Sequence, residues 1–239
     1  MSISLKWLGH ACFMVQTVKG RVLIIDPWIT GNPLCPVELK DISQADLVLV
    51  THDHFDHASN AADIAKQTGA MVVGCPETVG RLKLGQALPE GQVILGGIGM
   101  NIGGTFRAGE ISITMTQALH SSETGVPVGY VIKLEDGTTL YHAGDTGIFG
   151  SMELLGKMYE IDIAFLPIGG CFTMDPLQAA EAVKMLRPRL VIPMHYRTFP
   201  ILEQDASPFV KLVKERRPES EVVVLEPGQE YKYRSVLDS

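Results

Sequence analysis

Directly after the apolar run Leu47 to Val50 the chain reads Thr51-His52-Asp53-His54-Phe55-Asp56-His57, three of its seven histidines within six residues. The preceding run is short, apolar and rich in β-branched residues, which is the signature of a strand. A strand sends residues i and i+2 to one side, so His52 and His54 can reach one cation together while Asp53 points elsewhere. A turn at Phe55 then offers Asp56 and His57 to a second centre, roughly 3.5–4 Å from the first in paired metal sites. Imidazole and carboxylate suit Zn, Mn, Fe or Ni, not soft Cu(I) or hard Ca. One segment cannot close two coordination shells. The fold must therefore bring further His and Asp residues to the same place.

Such residues stand at the ends of other apolar runs. His120 closes the run Ile111 to Leu119, Asp145 follows Thr138 to His142, and His195 follows Leu190 to Pro193. Each leaves a predicted strand for a polar loop, an arrangement that places them together on one rim of a layered fold. The two remaining histidines, His10 and His142, adjoin segments expected at that rim. Either can donate a proton or hold an oxyanion, and His142, close to Asp145, can equally orient a ligand. The loop Ser121 to Pro127 follows His120 and can line a pocket, though its composition is also that of an ordinary turn. Cys171, after Gly169-Gly170, has no sequence support as a nucleophile.

The wider pattern tells what fold could do this. Strands are expected at Ile3 to Leu8, Cys12 to Thr17, Val22 to Ile25 and Leu47 to Val50, the first three joined through Gly9-His10 and Lys19-Gly20 as hairpins. Asn60 to Gln67 reads as a helix capped by Ser59 or Asn60 and ended by Gly69. A strand at Met71 to Gly74 and a helix opened by Pro76 follow. The next stretch is β-rich: Gln92 to Leu95, Thr105 to Arg107, Ile111 to Gln117, Gly129 to Leu134 and Thr138 to His142, with Asp136-Gly137 as a hairpin turn. Alternation then resumes, with helices near Ser151 to Met158, Pro176 to Arg187 and Pro208 to Lys214. Between and after them come strands Ile161 to Pro167, Leu190 to Pro193, Glu221 to Leu225 and Glu230 to Tyr233.

Two rounds of one programme, a β-rich stretch and then strand-helix alternation, predict an α/β (α+β) fold in which two sheets pack face to face with helices outside, a four-layer αββα sandwich. No linker interrupts it, so residues 1–239 are expected to form a single domain. The glycine-rich stretch Gly96 to Gly104 lacks the Lys-Ser/Thr of a P-loop and the spacing of a dinucleotide fingerprint, and reads as turns.

Composition narrows the partners. The formal charge is −7, and the 20 Lys and Arg are scattered. Only Lys214 to Arg217 is locally basic, so nonspecific nucleic-acid binding is not expected. No signal-type or membrane-length apolar run occurs, which predicts a cytoplasmic protein acting on a small-molecule substrate. Cys12, Cys35, Cys75 and Cys171 lie far apart without a CxxC pair, arguing for buried free thiols and against a thiolate metal site. Oligomeric state is not legible.

His52-x-His54-x-Asp56-His57, followed by His120, Asp145 and His195 in that order, resembles the metallo-β-lactamase superfamily over essentially the whole chain. Trp7-Leu8-Gly9-His10-Ala11, Ile25-Asp26-Pro27, Tyr141 to Thr146, Leu166 to Gly170, Phe172-Thr173-Met174 and Ile192 to Tyr196 together resemble a group of metal-dependent hydrolases related to ascorbate-6-phosphate lactonases. The resemblance implies that His52, His54 and His120 bind one metal, Asp56, His57 and His195 the other, and that Asp145 bridges them. It implies that Asp26 orients a ligand without touching metal. Arg197 departs from the pattern, which has a small residue there. Two divalent ions, two carboxylates and a hydroxide leave about +1 at such a centre. That favours a small anionic ester, lactone or phosphodiester attacked by metal-activated hydroxide. A di-iron oxidoreductase and a non-catalytic metal-binding protein on the same fold are the alternatives.

Overall fold

The computed structural model describes residues 2–234. The first half runs β1 (Ile3–Trp7), β2 (Phe13–Gln16), β3 (Val22–Ile25), β4 (Leu47–Leu49), α1 (Phe55–Ala58), α2 (Ala61–Thr68), β5 (Met71–Val73) and α3 (Pro76–Gly85). The second runs β6 (Thr105–Ala108), β7 (Ile111–Gln117), β8 (Val128–Lys133), β9 (Thr139–His142), α4 (Met152–Met158), β10 (Ile163–Pro167), α5 (Pro176–Leu186), β11 (Leu190–Met194), α6 (Ser207–Arg216), β12 (Glu221–Val222) and β13 (Glu230–Tyr233).

These strands form two mixed sheets, β13-β1-β2-β3-β4-β5 and β12-β11-β10-β9-β8-β7-β6. In each, the β-rich part pairs antiparallel and the alternating part pairs parallel. Burial follows that division. β3, β4, β10 and β11 are buried at every residue, as parallel strands covered on both faces must be. β1 alternates buried and half-buried positions instead. Helices flank the sandwich: α2 packs on β4 and β5, and α5 packs against both α4 and α6. Among the described residues no helix is long and apolar enough to cross a membrane.

The pairing decides where loops emerge. β1, β3 and β4 run in one direction in the first sheet, and β7, β9 and β11 share a direction in the second. The segments after these strands carry His10, Asp26, His52 to His57, His120, Asp145 and His195. Carboxyl ends of such strands are where open α/β sheets place ligands.

Four local expectations are corrected. Gln92 to Leu95 is not a strand but part of two 3₁₀ turns, Glu90–Gln92 and Ile94–Gly97, with a single bridge from Val93 to Val72. Leu95, Gly96 and Gly97 all take positive φ, which no strand accommodates. The turn at Phe55 is a one-turn helix. Asn60 stands at the N-terminus of α2 without capping it, because its side-chain oxygen accepts from the backbone of Ile29 and Thr30. The strand at Glu221 stops at Val222, on a sheet edge with one neighbour. All four cysteines are free as expected, but Cys171 is exposed and Cys35 half-buried.

Candidate metal centre

Asp145 lies at the middle of the strand-end loops, 3% exposed, and its Oδ2 gathers imidazoles from four directions. The Nε2 atoms of His195, His57, His120 and His52 stand 3.0, 3.3, 3.5 and 4.0 Å from it. His54 joins through a 2.9 Å approach of its Nδ1 to His52 Nε2. Donor atoms of His52, His54 and His120 form one compact group, and those of His10, Asp56, His57 and His195 another. Asp145 groups with His52 and His57, between the two. All seven residues expected at the centre are therefore brought together.

Hydrogen bonds settle which ring nitrogens are free. Asp26 accepts from the Thr51 backbone N–H at 2.8 Å and its hydroxyl at 2.7 Å, and pairs with His57 Nδ1 at 2.8 Å. Held through Nδ1, His57 turns its Nε2 toward Asp145; that nitrogen is buried and has no hydrogen-bond partner. The Thr51 hydroxyl, donating to Asp26, accepts from His52 Nδ1 at 3.1 Å, which turns His52 Nε2 toward His54 and Asp145. Asp26 thus orients two rings through one network, and it does so from a left-handed φ of 49°. His10, His195 and Arg197 share that strained region, at 55°, 57° and 67°. Backbone strain of this kind persists where surrounding contacts impose it. It gives a conformational reason for the small residue expected at position 197, where the arginine side chain instead pairs with Glu226 at 2.9 Å.

The two remaining histidines, expected to donate a proton, hold an oxyanion or orient a ligand, both make polar contacts beside the cluster. His142 is fully buried; its Nε2 lies 3.1 Å from the Ala11 carbonyl, and its Nδ1 accepts from the Gly144 N–H at 3.2 Å. It holds the turn into Asp145, a geometry that suits the orienting role the sequence also offers. Gly144 itself needs to be glycine: its φ is +61°, and a Cβ would lie 2.6 Å from the Val128 carbonyl. His10 does reach the cluster, but it is 0% exposed. Its Nε2 pairs with Asp56 Oδ2 at 3.1 Å, its Nδ1 with the Thr198 hydroxyl at 2.9 Å, and its carbonyl accepts from the His195 N–H. Placed in this way, it contacts both Asp56 and His195.

The charges show what is missing. Burial, which alone would lower His57, is outweighed by Asp145 and Asp26, and the imidazole is pushed well above its usual range. Burial likewise would raise Asp145, but His195 and His57 hold it well below the ordinary carboxylate value. Two rings move the opposite way: burial, reinforced by neighbouring imidazoles, brings His52 down to about 3 and His10 down to about 4. Three carboxylates against one imidazole held toward its charged form leave excess negative charge in a buried pocket, which requires compensating positive charge. The unpartnered Nε2 of His57 and Oδ1 of Asp145, within an all-nitrogen-and-oxygen donor set, fit divalent cations.

Around the centre stand groups the sequence did not single out. Trp28 stacks on Phe199 at 5.7 Å, meets Phe55 edge-on at 5.5 Å and touches the His10 ring. Phe55, between His54 and Asp56, is 64% exposed. Thr51 and Asp53 were passed over although each adjoins a ligand; their partners, Asp26, Ser122 and Thr124, are distant in sequence, so no local pattern marks them.

A four-layer sandwich with histidines and aspartates converging at the carboxyl ends of its strands defines a class, the metal-dependent hydrolases of the metallo-β-lactamase fold. A family model for the β-lactamase superfamily domain matches residues 21–196. A UPF0173 metal-dependent hydrolase of Nitratidesulfovibrio vulgaris is 49% identical over 229 residues, 96% of this chain and 95% of that one. One from Caldivirga maquilingensis is 49% identical, with 94% and 95% covered. Among solved structures, Igni18, a metallo hydrolase from Ignicoccus hospitalis, superposes with a TM-score of 0.87 at 40% identity, covering 98% of this chain and all of that one. The chain belongs to the β-lactamase superfamily and, within it, to the UPF0173 metal-dependent hydrolases.

Proposed function

We propose that the chain hydrolyses a small anionic ester, lactone or phosphodiester at a pair of divalent cations. His52, His54 and His120 hold one, Asp56, His57 and His195 the other, and Asp145 is shared. The observation that carries this reading is the approach of four imidazole Nε2 atoms to within 4.0 Å of one carboxylate oxygen. A bridging ligand is the simplest chemical reason for that crowding. When bound, two such cations lower the pKa of a water and neutralise charge developing on the attacked group.

The protein's own residues supply the rest. Asp26 and Thr51 orient His57 and His52, and His10, itself paired with Thr198, holds Asp56. Trp28, Phe55 and Phe199 give one side of the mouth an apolar surface for the part of the substrate that does not react. Zn is the expected metal, with Mn, Fe or Ni as the other candidates for such donors. The lactone option draws on the likeness to ascorbate-6-phosphate lactonases.

Protein purified without added metal, then stripped and reloaded with each of these ions, is to be assayed on a panel of lactones, thioesters and phosphodiesters. Turnover of at least one ester class is expected, abolished by chelator and restored by metal. Full occupancy of both positions with no turnover on any member would contradict hydrolysis of this substrate class.

A further inference from the structure

Asp53 sits between two of the clustered imidazoles, yet its carboxylate turns away from them. Its side chain is 2% exposed and takes four donors from two other parts of the chain. Ser122 Oγ donates to Oδ1 at 2.6 Å and the Thr124 N–H to the same oxygen at 2.9 Å. Thr124 Oγ1 donates to Oδ2 at 2.5 Å and Arg81 Nη1 to the same oxygen at 2.8 Å. Ser122 and Thr124 belong to the loop that starts one residue after His120 and ends where the Val128 N–H donates to the Thr51 carbonyl. Arg81 comes from α3, on whose first turn the loop is seated: a Cβ on Gly125 would lie 2.7 Å from Cys75 Sγ.

That loop has little else to fix it. Ser121, Glu123, Gly125 and Val126 are all exposed, so few apolar contacts hold its shape. Hydrogen bonds to a buried ionised carboxylate are about twice as strong as neutral ones. We propose that Asp53 is a positioning residue that latches the Ser121 to Pro127 loop to the His52–His54 segment, and so holds both the His120 arm and the adjoining wall of the pocket. The consequence for metal binding rests on His120 being a ligand, as argued above; the consequence for the loop does not. Because one carboxylate ties the two segments that bring His52, His54 and His120 together, its removal should loosen one cation position and spare the other, which is built from Asp56, His57 and His195.

The test uses the full chain with Asp53→Ala and Asp53→Asn, and with Ser122→Ala and Thr124→Val as milder variants should the first two fail to fold. In amide hydrogen exchange of metal-free protein, residues 121–125 are expected to exchange about tenfold faster while the two sheets keep wild-type protection. In a Zn titration, one affinity should fall about tenfold and the other stay within roughly twofold, the usual size of an effect on a residue that orients a ligand. Unchanged exchange in the loop, faster exchange throughout the molecule, or equal loss of both affinities would overturn the latch. Wild-type protein that binds no Zn would instead sink the two-metal reading, with the exchange result still deciding the latch.

Discussion

At the level of single residues, the centre is assembled from groups whose ordinary chemistry has been bent by burial. The six-residue stretch from His52 to His57 was legible because ligand spacing on a strand end is a local property. Its supports were not, since Asp26, His10 and Ser122 meet it from distant parts of the chain. His10 illustrates the limit: the sequence marks it as a rim histidine, but only the structure supplies its burial and its contact with Asp56. Changing His10 to Ala is therefore expected to weaken one of two cation affinities by about 10- to 100-fold, measured by titration; unchanged affinities with lost turnover would favour the proton-donor role. The metal-free protein should also be acid-sensitive. His10 and His52 stay neutral in the fold until about pH 4 and 3, whereas in the unfolded chain they protonate near 6.5. The unfolded state binds more protons in that window, so stability falls as pH drops from 6.5 toward 4. His57, raised in the fold, is protonated in both states below 6.5 and adds no slope there. Melting of chelator-treated protein should be lower at pH 5 than at pH 7 by several degrees, at roughly 2–4 °C per kcal/mol for this size. A flat profile would count against these buried neutral rings.

At the level of elements, strands and helices were readable wherever one period ran unbroken. Hydrophobic runs placed β3, β4, β10 and β11, and Pro76 and Pro176 opened α3 and α5 as their fixed φ favours. What failed was decided by backbone conformation or by neighbours. The run Gln92 to Leu95 looked extended, yet the glycines after it and the left-handed Leu95 curl it into turns. Contacts between sheets are likewise invisible in sequence. Tyr130 of β8 crosses the sandwich to donate its hydroxyl to the Val50 carbonyl at 2.7 Å, one residue before Thr51. Tyr130→Phe keeps the packing and removes that bond, for an expected loss of about 1 kcal/mol in urea unfolding. No loss would mean that the sheets are held there by apolar contact alone.

At the level of the whole molecule, the repeated programme of β-rich stretch and strand-helix alternation produces two sheets of the same mixed kind. Parallel alignment of ligand-bearing strands is what turns seven scattered side chains into one centre. The layered architecture followed from the order of elements, but which ends of which strands share a rim depended on pairing that only the structure supplies. The most direct measurement is anomalous scattering from crystals of the metal-loaded protein, recorded at the absorption edge of the bound ion. Two peaks roughly 3.5–4 Å apart are expected, one among His52, His54 and His120, the other among Asp56, His57 and His195, with Asp145 between them. A single peak, or peaks away from Asp145, would contradict the two-cation centre.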